Sequence, residues 1–449
     1  VGLKKLGFHI IFGAGPEGKC FADMYGFEFL EIHSSKAINQ GNSEWMDTVS
    51  KQSDNEMQML MKMVEICAQT TEYDSKTILG RIKNDSSVCC LIASTMAVPL
   101  CFSLSYALNI PAVCLYLMPF VPTNAHLPCH MDSAKSPGKD IPEEHWAATS
   151  KAVMQGYYDN LWSTCFHISW KICCDENVSL EDFKEKVFPA EEIHKMVINQ
   201  HHRVTFLYGI SQELLGGVPE DYPRSADLDG YLFLPPSGEV NPTVDKFLQS
   251  GSGDASMKPV CIGFGSMVMG DKPGILRMVL TAVMKAKVRA VILAGWAELS
   301  TSLLDTDSEE DAKLAAYVQD GNVVFASEAA HDWLYPQCCC IVHHGGSGTT
   351  AAALRAGVPS IITPFGFDQA FMGDSVQKIG CGLRLPAMIE VTSDQLTDAL
   401  IQVRTSSSIV EQATAVGQRI KAENGVGKIS GKVVSAILGF NAETACKLA

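Results

Sequence analysis

Apolar runs of strand length alternate with amphipathic stretches of helical spacing along both halves of the chain. In the first half, the apolar runs predict strands at His9–Phe12, Phe27–Ile32, Val88–Ala93 and Pro111–Leu117. The helical spacing predicts helices near Lys19–Tyr25, Trp45–Gln69, Ser75–Lys83 and Met96–Leu108. This alternation is typical of parallel sheets that are covered by helices.

One stretch is apolar enough to suggest a membrane span, because no charged residue occurs between Val88 and Phe120. Pro99 and Pro111 interrupt it, however, and Ser, Thr and Asn are scattered through it. Buried parallel strands have the same near-continuous apolar texture. The stretch is therefore predicted to form a strand, a helix and a second strand of a soluble sheet.

A longer helical region is predicted from His145 to Cys174, after a polar loop at Leu127–Glu144. Large apolar side chains recur there every four residues and form a stripe: Met154, Tyr158, Trp162, Phe166 and Trp170. Such a stripe packs a helix onto its own domain in the simpler interpretation. In the alternative it forms a wall for a flat apolar ligand, and periodicity does not separate the two.

The texture of the chain changes just after Leu234, where "PPSGEVNPTVDKFLQSGSGDASMKP" collects Pro, Gly and Ser around one short helical piece. A new strand follows at Pro259–Gly263, and the alternation of strands and helices begins again. The sequence therefore predicts two related α/β domains, residues 1–245 and residues 246–449. The start, Val1–Gly7, is typical of the end of a helix, so the first domain is expected to lack its first elements.

Composition narrows the class of protein and of partner. The chain has 449 residues, which is long for one core, and its net charge of −15 argues against nucleic acid as the main partner. Seven of its 16 cysteines lie in adjacent groups, a spacing that predicts reduced thiols in a cytoplasmic protein. Cys338, Cys339 and Cys340 precede two histidines, but their spacing does not match a zinc motif, so no metal site is predicted.

A glycine motif near the start suggests a dinucleotide-dependent enzyme. "GAGPEG" at residues 13–18 fits G-x-G-x-x-G between a strand and a helix, and Glu31 ends the next strand. Pro16 removes one N–H from the loop that would hold the pyrophosphate. An NAD-dependent oxidoreductase stays open as an alternative, beside an ordinary glycine-rich turn.

A second glycine cluster follows two histidines at a predicted strand-to-helix junction, "IVHHGGSGTT". Glycines there let a phosphate or a backbone come close, yet no Lys follows them, so the motif is not a P-loop. Ser266, His343 and Asp368 each follow a predicted strand. Because the carboxyl ends of parallel strands share one edge of a sheet, these side chains are expected to lie together.

The array "HDWLYPQ…VHHGGSGTT…AGVPSIITPFGFDQ" resembles the nucleotide-sugar half of GT-B glycosyltransferases, in the UDP-glucose:sterol glucosyltransferase and UDP-glycosyltransferase family. The first half is similar more loosely, through "YLMPFVPTNAHLP" and "LYGISQELLGGVPEDYPRSADLDGYLFL". The resemblance implies an α/β protein of the GT-B fold, with two Rossmann-like domains that face a cleft. It also implies that the N-terminal domain lacks its first strand here.

The resemblance further implies a role for particular residues. The donor's diphosphate would lie at the helix N-terminus formed by His343, Gly345, Gly346, Ser347, Gly348 and Thr349, with the Ser266 hydroxyl on its other side. Asp368 and Gln369 would bind the sugar hydroxyls, and the backbone near Ser327 would meet the uracil. His344 is assigned no contact with the donor, and Trp333 is expected to pack within the protein rather than to stack on the base.

The implied reaction is an inverting transfer of glucose from UDP-glucose to a hydroxyl of a lipophilic acceptor, a sterol in the first place, without a metal or other cofactor. No residue of this chain matches the family's general base, which is expected upstream of Val1. Met118, Phe120 and Trp162 are weak candidates for an acceptor pocket. Another lipid or hydrophobic natural product stays open as acceptor, as does a non-catalytic donor-binding role. A membrane-dissolved acceptor implies peripheral membrane contact.

Overall fold

The computed structural model describes most of the chain in detail. The described residues are 1–32, 56–94, 97–119, 121, 123–126, 142–146, 148–149, 151–152, 163–174, 177–189, 201–223, 226–236, 238–251, 254, 257–265, 271–295, 298–305 and 307–448.

The first half contains two parallel sheets. Strand β1 (Ile11–Ala14) pairs with β2 (Glu28–Glu31), and β3 (Leu91–Ser94), β4 (Ala112–Tyr116) and β5 (Val204–Tyr208) form a sheet in that order. The described helices of this half are α1 (Gly2–Lys5), α2 (Lys19–Tyr25), α3 (Glu56–Ile82), α4 (Val98–Leu108), α5 (Ser163–Cys173) and the single turn α6 (Leu180–Asp182).

The second half is built on one parallel sheet of 6 strands in the order β11-β10-β9-β6-β7-β8. Its strands are β6 (Val260–Gly263), β7 (Ala290–Leu293), β8 (Val323–Ala326), β9 (Cys340–His343), β10 (Ser360–Ile362) and β11 (Gly382–Arg384). Its helices are α7 (Pro242–Gln249), α8 (Lys272–Lys285), α9 (Glu309–Tyr317), α10 (His331–Leu334), α11 (Ser347–Ala356), α12 (Gln369–Lys378), α13 (Ser393–Thr405), α14 (Ser407–Ala422) and α15 (Gly425–Leu448).

The uncharged stretch forms β3, α4 and β4, as the sequence predicts. All four residues at the start of α4, from Val98 to Cys101, are buried, and so is most of β4. Within the described ranges, no helix is both long and apolar enough to cross a membrane. The apolar texture therefore comes from burial on both faces of a sheet and its covering helix.

The prediction of two helices between residues 45 and 83 is wrong where it can be checked, because α3 runs without a break from Glu56 to Ile82. The polar residues that suggested a break, including Thr71, Asp74 and Ser75, are buried inside the helix. Ser75 donates its hydroxyl to the Thr71 carbonyl at 2.6 Å, which satisfies the side chain within the helix. Residues 45–55 lie outside the described residues.

The aromatic stripe belongs to the core of the first half. Phe166 and Trp170 on α5 are buried among residues such as Phe102, Phe183 and Phe188. The packing interpretation is therefore correct for these two positions, and the ligand-wall interpretation is wrong for them. Met154, Tyr158 and Trp162 lie outside the described residues, as does most of the predicted loop at residues 127–144.

The linker helix α7 packs on the second sheet, because its Val244 and Phe247 lie in one apolar cluster with Cys261 and Val291. The chain then returns to the first half at its other end. Ile429, Val433 and Ile437 of α15 are buried against Val113 of β4 and Leu207 of β5. The last helix thus covers the sheet of the first half, although residues 246–424 of the second half precede it.

Candidate functional site

The site is built at the end of β9, which lies between β6 and β10 in the middle of the second sheet. His343 is its last residue and pairs in register with Gly263 on one side and Ile362 on the other. All four residues of the strand are buried. A side chain at this position therefore has a fixed backbone and little freedom, which suits a group that must meet a ligand in one geometry.

Glycines make the turn after His343 possible. Gly345 has φ +92°, and a Cβ there would lie 2.7 Å from the Gln369 carbonyl oxygen. A Cβ on Gly346 would collide with the ring of His344. Only glycine lets the turn pass this close to the start of α12 and to the neighbouring ring. The turn and the start of α12 are therefore in direct contact.

His344 is held between two loops and serves packing in this structure. Gly265, which follows β6 with φ +61°, would bring a Cβ within 3.0 Å of His344 Cε1. The ring is buried between Gly265 and Gly346, and burial together with His331 lowers its pKa to about 4. His344 is therefore a neutral side chain that joins the loops after β6 and β9.

Helix α11 begins at this turn, and no side chain caps its first backbone N–H groups. Its N-cap is Gly346, and no side chain forms a cap hydrogen bond there. The first N–H groups of a helix have no partner inside it, and the helix dipole favours an anion at that end. Residues 346–349 therefore present a row of backbone donors where the sequence predicts the diphosphate.

His343 adds a neutral donor beside this helix end. The Gly345 N–H donates to His343 Nδ1 at 3.1 Å, so the proton of the neutral ring is on Nε2. Nε2 is buried and has no hydrogen-bond partner among the described residues. Burial, with smaller effects of His344 and His331, lowers the pKa of His343 well below its ordinary value. The ring therefore offers an N–H group rather than a positive charge.

His331 is a third histidine near the turn, and the sequence analysis did not single it out. It opens α10 and stacks on Tyr335 with ring centroids 4.4 Å apart. Burial lowers its pKa, and its proximity lowers the pKa of both His343 and His344. The motif "HDWLYPQ" contained this residue, but only the packing of α10 on α11 brings it to the site.

Asp368 and Gln369 lie at the start of α12, next to the turn. Phe367 before them has φ +58°, which is rare for a residue with a side chain. Burial raises the pKa of Asp368 to about 6. Gln369 is buried, and its Oε1 accepts from the N–H groups of Phe365 and Gly366 at 2.7 and 3.3 Å. The side-chain oxygen of Gln369 thus holds the loop at residues 365–366, and its side-chain nitrogen is the end suited to a sugar hydroxyl.

The other predicted residues are placed as follows. Ser327 is exposed directly after β8, and its carbonyl accepts from the Gly295 N–H at 3.2 Å. Trp333 is partly buried and packs in the cluster around α7. Met118 packs against the core of the first half. Ser266, Phe120 and Trp162 lie outside the described residues. Within the described residues, no group of three or more His, Cys, Asp or Glu side chains could hold a metal ion.

The amino-terminal glycine motif has an ordinary geometry. Gly13 lies inside β1, and Gly15 has φ −65°, which any residue can adopt. A Cβ on Gly18 would collide with the Ala14 side chain, so this glycine serves the close packing of α2 on β1. Packing thus explains Gly18, and the conformation of Gly15 does not require glycine.

Comparison with solved structures assigns the fold. The glycosyltransferase of kitacinnamycin covers 97% of this chain and 93% of its own at a TM-score of 0.60, with 13% identity. A spinosyn rhamnosyltransferase covers 96% of this chain and 94% of its own at a TM-score of 0.58, with 18% identity. The chain has the GT-B fold. Residues 296–435 also match the erythromycin biosynthesis protein CIII-like C-terminal domain.

Curated proteins similar to this chain include sterol 3-beta-glucosyltransferases of fungi. That of Candida albicans is 30% identical over 324 residues, and that of Aspergillus terreus is 32% identical over 324 residues. Both matches cover 71% of this chain but only 19% and 21% of the relative. The chain therefore corresponds to about a fifth of those relatives' length. The predicted GT-B fold is confirmed, and the oxidoreductase alternative loses its support.

Proposed function

We propose that this protein of the GT-B fold transfers glucose from UDP-glucose to a hydroxyl of a sterol, with inversion at the anomeric carbon and without a metal ion. The observation that carries the proposal is the His343 Nε2–H, which has no hydrogen-bond partner among the described residues, beside the uncapped start of α11. Together they form a compact anion site without a lysine. A nucleoside diphosphate is the leaving group that such a site fits.

In the proposed mechanism, the leaving group is stabilised by protein groups that are already in position and need not move during the reaction. As the acceptor oxygen attacks the anomeric carbon, negative charge develops on the diphosphate. The α11 N–H groups and His343 Nε2–H would stabilise that charge by fixed hydrogen bonds. Burial around His343 keeps water away and strengthens these bonds. The acceptor's proton must go to a general base, which none of the residues above is assigned to be.

The sugar would lie against the start of α12. The Asp368 carboxylate, when ionised, accepts from two hydroxyls, and the Gln369 amide nitrogen donates to a third group. Gly345 and Gln369 are in contact, so the diphosphate and sugar sites adjoin as a nucleotide sugar requires. Uracil is proposed to meet the backbone near Ser327, at the end of β8 on the same sheet edge.

The acceptor is proposed from the names of the relatives, which are sterol 3-beta-glucosyltransferases. A sterol dissolves in membranes, so we expect a cytoplasmic enzyme that contacts a membrane surface peripherally. Transfer to another lipid or hydrophobic natural product is the alternative to be measured beside it. Radiolabelled UDP-glucose with cholesterol, ergosterol and a long-chain alcohol, each in detergent, would separate these acceptors. The proton coupling of the anomeric centre in the product reports inversion.

Replacing His343 tests the donor site directly. We expect His343→Ala to lower turnover about a hundredfold, a usual loss for one stabilising donor, and to weaken UDP binding in titration calorimetry. His9→Ala is the matched control, since His9 is an exposed histidine of the first half that pairs with Glu28. Equal UDP binding by the His343→Ala variant and the wild type would remove the proposed role.

A second experiment tests the absence of a metal. Activity is expected to be unchanged in EDTA, because no step of the proposed mechanism uses a metal.

A further inference from the structure

One side chain of the donor helix contacts the other half of the molecule. Ser347, the first residue of α11, donates its hydroxyl to the Leu117 carbonyl oxygen at 2.8 Å. Leu117 follows the end of β4, whose last carbonyl, that of Tyr116, accepts from the Gly209 N–H at 2.8 Å. The Leu117 carbonyl is thus the first one beyond the sheet of the first half. It points at the helix end where the diphosphate is proposed to bind.

The residues after Leu117 contact the second half again, at the helix that carries Asp368. The ring of His126 packs edge-on against Phe371 of α12, with centroids 4.9 Å apart. The Ala125 carbonyl lies 3.5 Å from Lys378 Nζ at the far end of the same helix. The chain that leaves β4 therefore contacts the starts of both α11 and α12, which bracket the proposed donor.

This chain is itself anchored in the first half. Asp221 accepts from the Thr123 hydroxyl at 2.7 Å and from the Asn124 N–H at 2.6 Å. His126 Nε2 lies 2.6 Å from the Tyr222 hydroxyl. A shift of the first half relative to α11 would therefore move residues 123–126 and Leu117 together, as one unit.

The hydroxyl of Ser347 has a single proton, and two acceptors could use it: an oxygen of the diphosphate or the Leu117 carbonyl. In the structure it is given to Leu117. The backbone N–H of the same residue stays at the helix end, where the anion site needs it. One residue can thus serve the donor through its backbone and the first half through its side chain.

We propose that Ser347 is a positioning residue whose hydroxyl holds the end of β4 against the donor helix, so that the acceptor side meets the sugar in a reactive geometry. This role rests on the proposed function. The two halves must place the acceptor oxygen and the anomeric carbon at about 3 to 3.5 Å, and small misplacements of reacting atoms cost large factors in rate. A hydrogen bond between the halves at the leaving group is well located to set that distance.

The test compares Ser347→Ala with Ser347→Thr, which keeps the hydroxyl. For Ser347→Ala we expect a UDP-glucose Kd within about twofold of wild type and a kcat lowered about tenfold, a loss equivalent to about 1.4 kcal/mol of transition-state stabilisation. Ser347→Thr should restore most of the kcat. A Kd weakened tenfold with kcat unchanged would assign the hydroxyl to the diphosphate and overturn the proposal. So would a Ser347→Ala variant with both constants at wild-type values.

Hydrogen exchange gives a second measurement that does not depend on the acceptor. Ser347→Ala should speed amide exchange in residues 117–118 and 123–126 and leave the β6–β7 region unchanged, and Ser347→Thr should reverse the effect. Unchanged exchange at residues 117–118 would contradict the contact and the proposal. A wild-type chain that fails to bind UDP-glucose would instead refute the proposed function, whatever the exchange shows.

Discussion

At the scale of single residues, the proposed donor site consists of neutral groups, where the sequence suggested only a histidine in place of lysine. The place of His343 at the end of a strand could be predicted from the motif, because an apolar run precedes it and a glycine turn follows it. Its protonation could not be predicted. It depends on the Gly345 N–H that donates to Nδ1 and on burial by neighbouring strands. His331 was missed for the same reason, since only tertiary packing brings it near.

The buried Asp368 carboxylate is expected to lower the free energy of unfolding while it contributes to donor binding. Burial raises its folded pKa from 3.8 to about 6, so the folded state holds the proton more tightly than the unfolded chain. The cost to stability is therefore absent below the unfolded pKa and complete once pH rises above about 6. We expect Asp368→Asn to raise the free energy of unfolding at pH 7.5 by about 1 to 2 kcal/mol, discounted for partial exposure, with no gain at pH 3.

The same substitution should weaken UDP-glucose binding, and wild-type binding should weaken as pH falls through about 6, where the carboxylate takes up its proton. Denaturant titration and calorimetry at several pH values measure both effects. Asp332→Asn, an exposed carboxylate on α10, is the control, and it should change the unfolding free energy by less than about 0.5 kcal/mol. A stabilised Asp368→Asn variant that binds UDP-glucose normally would leave the stability argument intact and remove the sugar contact.

At the scale of elements, the apolar pattern predicted the type and order of most strands and helices that can be compared. It failed where polar residues lie inside an element, as in α3, because a side chain such as Ser75 can satisfy itself within a helix. It also set strand starts too early, since β1 begins at Ile11 and β3 at Leu91. Val88, Cys89 and Cys90 before β3 are apolar and partly buried, and pattern alone does not show where pairing starts. The division at residue 245 stays a prediction.

The linker helix gives a prediction about the nucleobase loop. Asn241 caps α7 by accepting from Thr243 and Val244, and its Nδ2 donates to the Glu328 carbonyl at 3.0 Å, next to Ser327. Asn241→Asp keeps the cap but loses the donor, so stability should stay near wild type while UDP affinity falls about fivefold. Affinity for pyrophosphate should not change. Asn241→Ala should also lower the unfolding free energy by about 1 kcal/mol. A UDP affinity of the Asn241→Asp variant equal to that of the wild type would contradict the proposed effect of Asn241 on the nucleobase loop.

At the scale of the whole molecule, the two halves are joined by more than the linker. Arg419 pairs with Glu213 at 2.6 Å, and Lys432 pairs with the buried Asp229 at 2.8 Å. Val416 and Ile420 of α14 share one core with Tyr208 and Leu214 of the first half. No local pattern could predict these contacts, because their partners lie about two hundred residues apart in the sequence.

The last helix provides the test at this scale. Val433 on α15 is 2% exposed against the first sheet, whereas Leu438 on the same helix is 64% exposed. We expect Val433→Asp to lower the free energy of unfolding by about 4 kcal/mol, because it buries an unpaired charge. Leu438→Asp should change it by less than about 0.5 kcal/mol. Chemical denaturation measures both, and faster exchange in β4 and β5 should accompany the first. Equal effects of the two substitutions would refute the packing of α15.

The return of α15 to the first sheet also bears on how chimeras of this protein should be designed. A first half exchanged at the linker alone would leave behind Ile429, Val433 and Ile437, and the incoming sheet would meet a helix shaped for Val113 and Leu207. A graft that carries residues 425–448 together with the new first half keeps that surface matched. The part to be exchanged in a chimera thus consists of two separate segments of the sequence, the first half and residues 425–448, which fold together.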